Sequence, residues 1–152
     1  MPVTVRCSVR RIPLRRTAVE TLAQRILVAA GVPTAELSLL IVGDHLMRRL
    51  NGRYRRKAVT TDVLAFPMRE APGPNPLLLG DVVISLPQAA RQARAQNVPL
   101  NRELAQLLVH GILHLLGYDH ERSPADAHRM QRKERTVLSA VSPVPALVHT
   151  NG

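Results

Sequence analysis

The sequence predicts one α+β domain in which about five helices cover a roughly four-stranded mixed sheet. The chain has 152 residues, and 45% of them are hydrophobic, which is enough for a single core of ordinary size. Segments in which apolar residues alternate with period two are interspersed with segments of helical period. Their order is strand, helix, strand, helix, two strands and then helices only, which favours a mixed sheet.

The first half of the chain contains two strand–helix pairs. Residues 3–9 alternate between apolar and polar side chains, as a half-buried strand does. Residues 14–30 carry an apolar stripe at helical spacing, and Gly31 is suited to end that helix. A short apolar run over 37–43 predicts a buried strand, and Asp44 is placed to cap the helix that follows.

The second half contributes two strands and three helices. Residues 61–66 and 80–86 are rich in β-branched and apolar side chains and predict strands. A helix is expected over 87–97, because Pro87 stands where a first helical residue would. Residues 101–116 predict a helix that is apolar on nearly every side and therefore buried. A Ser-Pro-Ala-Asp pattern starting at Ser123 predicts the beginning of the last helix.

We expect the domain to span residues 1–140 and the tail, residues 141–152, to be frayed. A single cysteine, Cys7, excludes an internal disulfide framework and a zinc site made of cysteines alone.

The first residues do not have the pattern of a signal peptide, and no apolar run reaches the ~18 residues that a membrane helix needs. The expected location is the cytoplasm.

The chain is strongly basic, with 21 Lys and Arg against 11 Asp and Glu and a net charge of +10. All of its basic side chains except Lys57 and Lys133 are arginines, whose planar guanidinium matches phosphate oxygens. Such a charge favours a polyanionic partner, although the arginines could equally reflect a GC-rich genome. With only two Tyr, one Phe and no Trp, the chain does not resemble a protein that binds single strands by stacking bases on aromatic side chains.

Residues 48–57 hold six of the basic side chains and no acidic one. Such a run is often a solvated helix face followed by a charged loop. It could also follow the phosphates of a nucleic acid or place an arginine beside a reacting phosphate.

Three histidines within eleven residues form the most informative pattern in the sequence. His110 and His114 are four residues apart on the predicted buried helix, so their rings project from one face about one turn apart. Gly117 can adopt the left-handed conformation that turns the chain back and returns His120 to the same place. Three imidazoles around one metal ion leave a fourth position open, which is the arrangement of a catalytic rather than a structural site.

Zinc is the first choice for this metal, although imidazole also suits nickel, copper and iron. The same His-x-x-x-His-x-x-Gly-x-x-His spacing occurs in metzincin proteases, in which a glutamate after the first histidine is the general base. Here that position is Gly111, which cannot transfer a proton, so a protease is the less favoured reading.

Three segments resemble the YbeY family of bacterial endoribonucleases, which act as rRNA maturation factors. His-Gly-Ile-Leu-His-Leu-Leu-Gly-Tyr-Asp-His, residues 110–120, looks like the signature of the family. Residues 50–57, with Leu-Asn-x-x-Tyr-Arg-x-Lys, and residues 61–67, Thr-Asp-Val-Leu-Ala-Phe-Pro, resemble its central block. Residues 79–84 resemble its next strand, and the likeness extends over roughly residues 37–140.

The resemblance implies a zincin-like metal helix, one Zn²⁺ per chain held by His110, His114 and His120, and a functionally important arginine at Arg55. It implies zinc-dependent cleavage of single-stranded RNA in late maturation of small-subunit rRNA, at the 16S 3′ end, and in ribosome quality control. The implied partners are rRNA, the small ribosomal subunit, one of its proteins and an Era-like GTPase, with no membrane involved.

Two points stay open at this level. The sequence does not identify a general base, and Asp119, beside His120, is expected either to shape the turn or to support a ligand from behind. The alternative function is a ribosome assembly factor without catalysis, in which zinc only orders residues 110–120 and the basic surface binds rRNA.

Overall fold

A computed structural model of the chain describes residues 3–55, 62–67, 78–118 and 123–149, and the backbone alone of residues 53–55. The strands are β1 (Val3–Cys7), β2 (Glu36–Val42), β3 (Val63–Pro67) and β4 (Leu78–Ser85). The helices are α1 (Arg16–Ala29), α2 (Asp44–Arg55), α3 (Leu86–Gln96), α4 (Leu100–Leu115) and α5 (Pro124–Val141). The predicted α+β class and the predicted order of elements are both confirmed.

The four strands form one mixed sheet in the order β1-β2-β4-β3. β1, β2 and β4 are parallel, and β3 runs antiparallel to β4 at the edge of the sheet. Pro67 ends β3, and an edge strand is the place where a residue without a backbone N–H is tolerated.

Two apolar clusters hold helices against opposite faces of this sheet. The larger cluster joins side chains of β1, β2 and β4 to the buried stripes of α1, α4 and α5. The smaller cluster packs Met47 of α2 against Leu64 of β3 and Val83 of β4 on the other face. Adjacent strand residues point to opposite faces, so Val82 and Ile84 belong to the larger cluster and Val83 to the smaller one.

Gly111 faces the sheet where α4 packs closely against it. A Cβ atom at this position would lie 2.7 Å from Cγ1 and 3.2 Å from Cγ2 of Val82, and 3.4 Å from Cγ2 of Val63. Val82 is fully buried, and its β-branched side chain has little freedom to move away. Glycine at 111 therefore allows the helix axis to approach β3 and β4 more closely than any side chain would.

Two of the helices begin at a serine whose hydroxyl group caps the first turn. The Ser85 hydroxyl accepts a hydrogen bond from the backbone N–H of Gln88 at 3.3 Å, and the Ser123 hydroxyl accepts one from Asp126 at 3.1 Å. Ser123 is the N-cap expected ahead of Pro124, whereas Ser85 was not predicted as a cap, because α3 begins at Leu86, one residue before the predicted start. The expectation that Asp44 caps α2 is corrected, because Asp44 is the first residue of the helix.

The Asp44 carboxylate instead joins α2 to α3. It accepts hydrogen bonds from the Arg91 guanidinium at 2.9 and 2.7 Å, and one from the Ser85 hydroxyl at 3.3 Å. The hydrogen bond from Arg91 is the main reason that the pKa of Asp44 lies below its usual value. The pair is partly exposed, so its contribution to stability is modest.

The segment after α5 packs against the start of α1 as far as His149, and the expectation of a frayed tail stays a prediction. α5 continues through Val141, and the segment after it returns to the start of α1. Leu147 is fully buried, and its backbone O accepts a hydrogen bond from the Arg15 N–H at 2.8 Å. Asn101 at the start of α4 accepts a further hydrogen bond from the Leu147 N–H at 2.8 Å. Buried apolar side chains and paired backbone groups together account for this packing.

No helix in the described part of the chain combines the length and the apolar character needed to cross a lipid bilayer.

Replacement of Gly111 with alanine tests the contact between α4 and the sheet. The added methyl group would overlap Val82, so the free energy of unfolding should fall by about 1–3 kcal/mol. Alanine also has a higher helix propensity than glycine, by roughly 1 kcal/mol, and this gain offsets part of the loss. Chemical denaturation of Gly111→Ala measures the net effect, and the same substitution should cost less in a Val82→Ala background than in the wild type. A Gly111→Ala variant more stable than the wild type by the full roughly 1 kcal/mol of helix propensity would contradict the close contact.

Candidate functional site

The predicted metal-binding histidines of α4 lie beside each other on one side of the helix. The ring centroids of His110 and His114 are 6.4 Å apart, and the ring planes differ by 11°. Both residues are half-buried. Since successive residues are about 100° apart around a helix and Gly111 faces the sheet, both rings fall at the border between the sheet contact and solvent. The structure thus brings these two predicted ligands together at an accessible place.

The end of α4 turns back at Gly117, as predicted. Gly117 has a φ of +102°, a conformation that residues with a Cβ rarely adopt. The Tyr118 N–H donates to the Leu113 carbonyl at 3.1 Å, and the Gly117 N–H donates to the His114 carbonyl at 3.1 Å. These are the two hydrogen bonds of a Schellman motif, which closes the helix one turn beyond His114.

The other two predicted site residues lie outside what the structure describes. His120 follows the described turn by two residues and falls in the gap 119–122. Arg55 is the last residue of α2, and only its backbone is described. Within the described ranges no group of three or more His, Cys, Asp or Glu side chains could hold a metal ion. The roles of His120 and Arg55 therefore stay predictions.

Glu134 of α5 is part of this site and was missed by the sequence analysis. Its Oε1 lies 2.8 Å from Nδ1 of His110, and the two side chains are 20% and 29% exposed. The residues are 24 positions apart, and the sequence had offered only Asp119 as a supporting carboxylate. Glu134 follows Met130 by one turn on the buried side of α5, an unusual place for a carboxylate, but its partner is decided only when α5 packs on α4.

The donor set fits a divalent transition metal. His110 contributes one imidazole, whose Nδ1 lies beside the Glu134 carboxylate. His114 offers a second imidazole one turn along the same face. Imidazole nitrogens are ligands that zinc and its neighbours in the first transition row accept readily.

Gly111 gives a structural reason against the protease reading. The position that carries the general base in metzincins points here into the sheet, against Val82 and Val63. Even a methyl group lacks room there without movement of Val82. A carboxylate at this position would be directed into the core and away from solvent.

A second acidic residue, Glu103, lies at the opposite end of α4. It is 5% exposed, and burial together with the negative charge of Asp62 raises the pKa of its carboxyl above the usual value. It precedes His114 by eleven residues, which is roughly 16 Å along the helix axis. Glu103 is therefore a buried carboxyl of the framework, remote from the paired imidazoles.

The fold and the histidine pair define a small α+β protein with a candidate metal site at the end of a buried helix. A known solution structure of a protein from Thermotoga maritima shares this fold, with a TM-score of 0.64 and 23% sequence identity. That likeness covers 91% of this chain and 88% of the other.

Sequence comparison identifies the family. The family described as endoribonuclease YbeY matches residues 5–142. An endoribonuclease YbeY from Anaeromyxobacter sp. (strain Fw109-5) is 50% identical over 99% of this chain and 78% of its own length. The corresponding protein of Geobacter metallireducens is 44% identical, covering 91% of this chain and 95% of its own length. That of Aquifex aeolicus is 45% identical over 85% of each chain. The chain belongs to the YbeY family, and the resemblance noted in its sequence is confirmed.

Glu103 predicts a specific pH dependence of stability. Its folded pKa lies above its unfolded value of about 4.5, so its contribution to stability is fully present below that pH and is lost as the pH rises through the folded pKa. Glu103→Gln keeps the shape of the side chain and removes the charge. The variant should have a higher Tm than the wild type at about pH 7.5, and this gain should disappear below about pH 4.5. Thermal unfolding of both proteins across this pH range measures the difference in Tm. A gain in Tm that does not depend on pH would contradict the raised pKa of Glu103.

Proposed function

We propose that this protein is a metal-dependent endoribonuclease that cleaves single-stranded RNA in the late maturation of small-subunit rRNA, at the 16S 3′ end, and in ribosome quality control. Zinc, one ion per chain, is the proposed metal, and His110, His114 and His120 are its proposed ligands. The observation that carries the proposal is the pair of adjacent imidazoles on α4. Membership of the endoribonuclease YbeY family supports the choice of RNA as substrate.

The residues of the chain have distinct parts in this scheme. His110 and His114 bind the ion from one helix face, while His120 would close the site from beyond Gly117. When bound, the metal supplies Lewis acidity that makes a water molecule a nucleophile near neutral pH. Arg55 would hold the phosphoryl oxygens, where negative charge grows during attack at phosphorus. Gly111 keeps α4 close to the sheet, so that the two rings stay at the solvent border.

The proposed partners are rRNA and the small ribosomal subunit, with one of its proteins and an Era-like GTPase. The net charge of +10 fits an RNA partner. Contacts with phosphates release counterions, so RNA affinity should fall steeply as the salt concentration rises.

One structural feature also fits the second candidate, a non-catalytic assembly factor. A cavity of about 590 Å³ lies between the start of α1 and the returning C-terminal segment, and Arg15, Arg16, Arg25 and His149 line it. None of the described residues that line this cavity is acidic. Such a surface suits the binding of RNA phosphates with or without cleavage. The enzyme and the assembly factor are therefore distinguished by whether the protein cleaves RNA, not by how tightly it binds RNA.

The metal site is tested by His114→Ala. The purified wild type should contain roughly one zinc ion per chain and cleave single-stranded RNA, and the variant should lose most of both together. His128→Ala is the matched control, because His128 is an exposed histidine of α5 outside the constellation. Metal content by mass spectrometry and cleavage of a labelled oligonucleotide provide the two readouts. Cleavage that persists in the variant without metal would refute the site.

Arg55 separates the enzyme from the assembly factor. If Arg55 holds the reacting phosphate, Arg55→Ala should lower the cleavage rate by about 100-fold or more and leave RNA affinity nearly unchanged. Arg48→Ala, an exposed arginine of the same helix, should have little effect on cleavage. Fluorescence anisotropy measures affinity, and single-turnover cleavage measures the rate. Loss of binding in Arg55→Ala, with no cleavage by the wild type, would favour the assembly factor.

A further inference from the structure

The contact between His110 and Glu134 links the metal helix to the last helix of the chain. Nδ1 of His110 and Oε1 of Glu134 are 2.8 Å apart, within the range of a charge-assisted hydrogen bond. His110 belongs to α4 and Glu134 to α5, so the distance depends on how these two helices pack. Both side chains are largely shielded from solvent, at 29% and 20% exposure. Solvent therefore competes only weakly for the hydrogen bond.

We infer that Glu134 is a positioning residue, which holds the imidazole of His110 with Nε2 turned toward the metal site. This inference rests on the proposed function, because His110 is one of its proposed ligands. The carboxylate can only accept, so Nδ1 of His110 must donate, and the neutral ring then has its lone pair on Nε2. The hydrogen bond also fixes the ring plane and makes the ring a stronger base toward a metal ion.

Packing of α5 does not by itself account for a carboxylate at position 134. Met130, Val137 and Val141 are each no more than 1% exposed and attach α5 to the core. Glu134 lies on the same side of the helix, one turn after Met130, where an apolar residue would continue this stripe. A partly buried charge costs free energy unless a partner compensates it. The hydrogen bond to His110 is the described contact that provides such a partner.

The surroundings of Glu134 keep its carboxylate near other cationic groups. It lines an open groove of about 360 Å³ between α4 and α5, together with Arg102 and Arg135.

Three substitutions at position 134 separate the parts of this role. Glu134→Ala removes the acceptor, and zinc affinity should fall by about 10–100-fold. Glu134→Gln retains an oxygen that can accept from Nδ1 but lacks the charge, so its affinity should lie between those of the wild type and Glu134→Ala. Glu134→Asp keeps the charge on a shorter side chain and should also retain part of the affinity. Glu20→Gln on α1 is the control for a lost carboxylate, and its zinc affinity should equal that of the wild type.

Two measurements on the full chain decide the outcome. Competition with a chelator of known affinity gives the zinc dissociation constant of each variant, and circular dichroism verifies that each is folded. NMR of the imidazole nitrogens reports the tautomer of His110 in the metal-free protein. The wild type and Glu134→Gln should carry the proton on Nδ1, and Glu134→Ala should lose this preference.

The outcomes distinguish the positioning role from a structural one. A folded Glu134→Ala variant with wild-type zinc affinity, or with an unchanged His110 tautomer, would overturn the inference. If Glu134→Ala unfolds, Glu134→Gln decides: wild-type zinc affinity in that variant would also overturn it. If the wild type binds no zinc, both the proposed function and the role of Glu134 in zinc binding are refuted. The tautomer of His110 would then still show whether Glu134 orients the ring. Weaker zinc binding by Glu134→Ala than by a zinc-binding wild type would support the inference.

Discussion

The close contact between α4 and strands β3 and β4 is the constraint on which the site depends. Gly111 has no side chain, so the helix lies against Val82 and Val63 at a distance that any larger residue would prevent. This contact sets the rotation of α4 about its axis. Once that rotation is set, His110 and His114 are placed at the border of the buried face, where they are close to each other and open to solvent. The same glycine removes the position from which a protease-type base would act.

The acidic residues show how the fold gives one functional group different properties. Asp44 receives hydrogen bonds from Arg91, which lower its pKa, whereas burial raises that of Glu103. Glu134 instead faces the imidazole of His110, its described hydrogen-bond partner. In a chain with a net charge of +10, each of its few carboxylates is thus near many potential partners. Local geometry, rather than overall charge, assigns them a role in stability or in the site.

Sequence periodicity predicted most of the fold because the core residues recur at regular spacing. The stripe of α1 and the alternation in β1 place apolar side chains on one face each, so both elements were found with bounds close to those observed. The cap at Ser123 was likewise found from the local Ser-Pro-Ala-Asp pattern. The contacts of the C-terminal segment were not predicted, because they are made with Asn101 and Arg15, residues far away in the sequence.

The sequence by itself determined the α+β class, the membership of the family and the histidine pair, since each is encoded in short-range spacing along a single element. A separation of four residues on a helix places two rings on one face in any tertiary context. Tertiary structure alone decided that Gly111 faces Val82, that the tail returns to α1 and that Glu134 meets His110. These contacts join segments distant in the chain, and their geometry arises only when the buried faces of separate elements pack together.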